Sequence, residues 1–149
     1  MRGAHRAMKM MGWIGFGILF LFSIPTVGGQ KKPATQDEES RLLGRVVAAI
    51  EDVGAGEHPP MDQKYIKEAL SKFSSINKDI EKREYSLRLR WTFHYWYGKA
   101  LLDSGDAEKA VRMLEIGDGE AASLTSKERE QTAGILRSAR QKLAVKRPG

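Results

Sequence analysis

The chain has 149 residues and no cysteine. One domain is the expected size, and disulfides, thiolate metal sites and a cysteine nucleophile are excluded. With 25 Lys and Arg against 19 Asp and Glu the formal charge is +6, which favours acidic partners or anionic surfaces and says nothing of fold.

The first element is not part of the folded domain. "MRGAHRAMKM" holds Arg2, Arg6 and Lys9 and no acid, "MGWIGFGILFLFSIP" is uncharged, and "TVGG" is small, with Val27 and Gly29 at the places an export peptidase reads. This order predicts a signal peptide over residues 1–29. Its apolar run of about 14 residues is short of the ~18–20 that span a bilayer. No Arg-Arg pair or cleavage-site cysteine supports a twin-arginine or lipoprotein route. An exported protein, periplasmic or secreted, is therefore expected. The alternative is an uncleaved N-terminal helix that anchors the chain as a structural subunit of an envelope assembly, and the membrane is then met only through that segment. Residues 1–29 carry three of the 25 basic side chains and no acid, so half of the +6 belongs to targeting. No nucleic-acid partner is expected.

"QKKPATQDEES", residues 30–40, has no apolar periodicity and reads as a flexible leader. Residues 41–145 read as an all-α domain of about five helices, and 146–149 as a tail. From Asp37 to Val53 the apolar residues Leu42, Leu43, Val46, Val47, Ile50 and Val53 have helical spacing, with Asp37, Glu38 and Glu39 in the first turn, where the helix dipole favours acids. "GAGEHPP" ends that helix. Asp62 is the expected cap of a second one, with Tyr65, Ile66, Ala69, Leu70, Phe73, Ile76 and Ile80 on its inner side. A third runs from Tyr85 through the aromatic cluster to Leu101. Its opening "YSLRLRW" alternates like a strand, but the chain offers no second strand to pair with it. In "YGKALLDSGDAEKAV" Gly105 is the expected C-terminal cap of that helix and Asp106 the N-cap of a fourth, so the two pack as an antiparallel hairpin, with small Gly98 and Ala110 allowing close approach. Thr125 and Glu128 have capping-box spacing for a fifth helix to about Val145.

Residues 91–118, "WTFHYWYGKALLDSGDAEKAVRMLEIGD", resemble a tetratricopeptide repeat. Trp91 takes the family's tryptophan place, Tyr97-Gly98 its Leu-Gly place, and Leu101 its tyrosine place. Gly105-Asp106 matches the turn, Ala110 the alanine and Leu114 the large apolar place. His94, where the family prefers leucine, Gly117, where it prefers alanine, and a missing closing proline depart from the pattern. The match covers under a fifth of the chain, and neither neighbouring window repeats it. The resemblance implies a stack of helical hairpins that binds a protein or peptide partner in a groove lined by Thr92, Tyr95, Lys99, Leu102 and Asp103. The alternative packing is a plain five-helix bundle containing one such hairpin.

No catalytic motif and no cofactor signature occurs: HExxH, phosphate-binding glycine loops and GxSxG are all absent. Glu57-His58 lies in a Gly-Pro loop without a third metal ligand, and His94, among aromatics, reads as a packed core histidine. The expected protein is thus a non-enzymatic interaction module without metal or cofactor.

Overall fold

A computed structural model describes residues 31–56 and 63–146. The signal segment, the Glu57-His58 loop, the expected Asp62 cap and the last three residues lie outside them. Five helices follow in order: α1 Gln36–Gly56, α2 Gln63–Ile80, α3 Leu87–Asp103, α4 Ala107–Ala121 and α5 Ser126–Lys146. No strand occurs among the described residues, so the all-α expectation holds and "YSLRLRW" is not a strand. Ser86 caps α3 there, its hydroxyl accepting from the Leu89 N–H at 3.2 Å.

The leader is where sequence and structure part. Thr35 and Glu38 form a reciprocal capping box, with Glu38 N donating to Thr35 Oγ1 at 3.1 Å and Thr35 N to Glu38 Oε1 at 2.9 Å. Residues 36–40 are already helix. Upstream, Ala34 N donates to Glu84 O at 3.0 Å and Glu84 N to Lys32 O at 2.8 Å. The Glu39 carboxylate accepts both the Ser86 N–H and its hydroxyl. The expected flexible leader is therefore ordered from Lys32 and tied to the entrance of α3. Backbone bonds and the Glu39 carboxylate supply the ties, and neither needs apolar periodicity.

The core runs along one face of each helix. In α1 it is Leu42, Val46, Ala49 and Val53, all fully or nearly fully buried. Leu43 and Val47, expected on the same stripe, are 44% and 43% exposed. Adjacent residues sit about 100° apart on a helix, so only one of each Leu-Leu or Val-Val pair can face inward. Tyr65 of α2 is likewise exposed. The centre of the core is aromatic: Phe73 lies 6.0 Å from Phe93 and 5.5 Å from Tyr97, centroid to centroid. Such rings bury large areas in fixed geometry.

Successive helices are antiparallel. Asp52 meets Lys72 at 2.6 Å and Arg45 meets Asp79 at 2.7 Å across α1 and α2, residue numbers falling on one as they rise on the other. The same reversal relates α3 to α4 through His94–Glu120 and Gly98–Leu114. The α3–α4 turn is as the sequence requires. Gly105 has φ +94°. Its N–H donates to Leu102 O at 3.1 Å, and Asp106 N donates to Leu101 O at 2.9 Å, the paired bonds of a Schellman cap. Asp106 Oδ1 then accepts the Lys109 N–H at 3.1 Å to start α4. Gly105→Val should cost about 1–3 kcal/mol, because a β-branched side chain is strained at that φ. A chemical denaturation midpoint equal to that of the native chain would contradict this.

Gly117 behaves differently. A Cβ there would sit 3.5 Å from His94 Cβ and 3.8 Å from Thr132 Cγ2, ordinary contact distances. Gly117→Ala, toward the residue the repeat pattern prefers, should stabilise the domain by about 0.5–1 kcal/mol through helix propensity. A rise in melting temperature checks it.

The order of packing is open-ended. α1 touches α2 and α3; α3 touches α2, α4 and α5; α4 touches α5. The backbones of α1 and α2 do not pack directly against those of α4 or α5 among the described residues. Backbone to backbone, each described helix packs only against those within two places of it along the chain.

Candidate functional site

α3 is the hub, and its circumference divides into sectors by partner. Arg90, His94 and Gly98 face α4. His94 is buried, its Nδ1 lying 2.8 Å from Glu120 Oε1, and Arg90 approaches the other Glu120 oxygen at 3.9 Å. Arg88 and Trp91 face α5. The Trp91 indole N–H donates to Thr132 Oγ1 at 2.9 Å, and the Thr132 hydroxyl donates to Glu128 O at 2.7 Å. Arg88 pairs with Glu128 at 2.7 Å and lies over the Trp91 ring.

Glu128 opens α5 as the capping-box spacing predicts, accepting the Thr125 N–H at 3.2 Å and its hydroxyl. The Thr125 hydroxyl and the Arg88 guanidinium hold its carboxyl at about 2, below the ordinary 4.5. A depressed carboxyl adds stability that is full above its unfolded pKa and lost as pH falls through the folded value. The α3–α5 junction should therefore loosen as pH drops from about 4.5 toward 2, and Glu128→Gln should remove that part of the acid sensitivity. Denaturation midpoints of both proteins across this window test it. Parallel acid profiles would contradict it.

The five residues expected to line a groove separate into two groups. Thr92, Lys99 and Asp103 lie on one stripe of α3 and are half-buried. The Thr92 hydroxyl donates to Arg88 O at 2.8 Å, and Lys99 pairs with Asp103 at 3.3 Å. Tyr95 and Leu102 turn instead toward the α5 side. Tyr95 stacks on Trp91 at 5.2 Å and is half-buried. Leu102 is buried in the core and does not share the outward stripe. At about 100° per residue Leu102 is rotated by roughly a sixth of a turn or more from the other three, whereas Tyr95, only about 40° from Lys99, sits at the margin of their stripe. Leu102 and Asp103 also line a cavity of about 570 Å³ between the end of α3, the last turn of α5 and Gln63 of α2.

The outward stripe has a further member beyond the five expected groove residues. Trp96, half-buried and edge-on to Tyr95, completes Thr92, Trp96, Lys99 and Asp103 at helical spacing. On the wheel this stripe is roughly opposite the α4-facing residues. α1 carries its counterpart. Arg45, Ala48 and Asp52 face α2, and Leu43, Val47 and half-buried Ile50 lie on nearly the opposite side. The two stripes thus lie on the sides of α1 and α3 away from α2 and α4, with Ile50 and Trp96 partly packed against the core. A second i, i+4, i+7 pattern beside the core stripe was the available signal in both helices.

Among the described residues no group of His, Asp and Glu is arranged to hold a metal ion, and no helix is long and apolar enough to cross a membrane. Comparison with protein-family models, with curated proteins and with solved structures finds no match to the chain.

Proposed function

We propose that residues 36–146 form a tetratricopeptide-like stack of helical hairpins that binds a segment of a partner polypeptide, without catalysis and without a cofactor. In this reading α1, α3 and α5 are the inner helices, and the partner lies across the stripes Leu43–Val47–Ile50 and Thr92–Trp96–Lys99–Asp103. One observation carries it: both stripes sit opposite the second-helix layer, where such a stack has its concave face, and they combine exposed apolar area with an aromatic anchor and a charged pair. The open order of contacts suits a stack better than a closed bundle, in which the first helix returns to the last. Residues 1–29 serve in this proposal as a removed export signal, and sequencing of the mature protein should begin within a few residues of Gln30.

The test is a photo-crosslinking amino acid placed singly at Val47, at Thr92 and, as a control on α4, at exposed Arg112. Irradiation in the native host should give one discrete adduct from Val47 and Thr92 and none from Arg112. Adducts of equal yield from all three positions, or from Arg112 alone, would move the binding surface elsewhere.

A further inference from the structure

The cavity at the end of α3 adjoins the face described above through Asp103 alone, which belongs to both. Leu102, Ala107 and Val145 give it an apolar lining, and Val145 is 82% exposed there. Three charged side chains enter it: Asp103, Lys142 and Lys146. The Asp103 carboxylate is already met by Lys99 at 3.3 Å. The Lys146 ammonium donates to Gly105 O at 2.8 Å, which satisfies one carbonyl at the α3 end and leaves further N–H donors free. Lys142 makes no hydrogen bond or ion pair among the described residues. The cavity thus combines apolar surface with positive charge that the protein does not itself neutralise.

We propose that this cavity is a binding site for a small amphipathic carboxylate, a free acyl anion. The acyl chain lies on Leu102, Ala107 and Val145, and the carboxylate is held by Lys142 and Lys146. The volume, about 570 Å³, falls within the range of small-molecule sites. Other ligand classes fit less well. A phosphate dianion finds no arginine fork among the described lining residues and leaves the apolar lining unused. A cation meets Lys142 and Lys146, with Asp103 already paired. A neutral apolar molecule leaves the Lys142 charge unused.

Equilibrium dialysis of the full chain against decanoate tests the assignment, with decyltrimethylammonium and acetate as controls. Decanoate should bind saturably at one site, and neither control should. Octanoate should bind about tenfold more weakly, the worth of two methylenes removed from water. Lys142→Glu and Val145→Asp, both exposed and both expected to melt as the native chain does, should each weaken decanoate at least tenfold. No saturable binding, equal binding of the cationic control, or decanoate affinity unchanged in Lys142→Glu would overturn the proposal. So would tight binding of a short peptide ending in a free carboxylate without binding of decanoate. None of these results bears on crosslinking at Val47 and Thr92.

Discussion

Trp91→Ala should be the most damaging single truncation in the α3–α5 seam, costing about 3–5 kcal/mol in denaturant unfolding. The indole is 7% exposed, stacks on Tyr95 and lies under Arg88. Its removal leaves a cavity between α3 and α5 and takes away the donor to Thr132, a side chain with no exposure to solvent. Thr132 still donates to Glu128 O, so the loss is mainly of packing volume. Trp91→Phe separates the two contributions. It keeps an aromatic ring and loses the donor, and should cost clearly less than the alanine change. Tyr95→Ala should also destabilise, because Tyr95 covers the Trp91 face, but by less, since it is only half-buried. Equal midpoints for Trp91→Ala and the native chain would mean that α5 is not held by this residue.

Gly98→Ala should destabilise by about 1–3 kcal/mol even though alanine is the better helix former. A Cβ at Gly98 would fall 2.5 Å from Leu114 Cγ and 2.7 Å from its Cδ2. Leu114 is fully buried, so its side chain has no open space to swing into, and the helices must part instead. The companion experiment is Leu114→Ala, which alone should cost about 2–5 kcal/mol by leaving a cavity. Combined with Gly98→Ala, the cost should be less than the sum, because the new methyl enters the space the leucine vacated. Strict additivity of the two changes would show that they are not opposed across the seam. The contrast with Gly117→Ala is one of distance alone: the same added methyl meets neighbours at ordinary contact there and inside contact at Gly98.

Much of this architecture was legible in the residues. Gly105 and Asp106 predict the turn because few other residues take a positive φ or cap a helix start, and both behave so. Thr125 and Glu128 announce the start of α5 for the same local reason. Ser86 and Thr35 were equally local signals, hidden because the polar stretch around Thr35 read as flexible and the one around Ser86 alternated. The candidate face was legible only in part. Thr92, Lys99 and Asp103 share one stripe of α3 with Trp96, Tyr95 lies at its margin, and Leu102 is buried. An aromatic run such as "WTFHYWY" shows that the helix must touch several surfaces, without telling which ring meets which.

The sequence by itself determined the helices, their caps and the reversal at Gly105, since each depends on residues within one or two turns of one another. Only the tertiary structure decided that α5 packs on α3 through Trp91, Thr132 and Glu128, that Glu39 closes the entrance of α3, and that Leu43 and Val47 stay outside the core. Those outcomes depend on which of two adjacent apolar stripes finds a partner helix. That choice is made by shape and burial across segments distant in the chain, and hydrophobic periodicity carries no information about the neighbour's position.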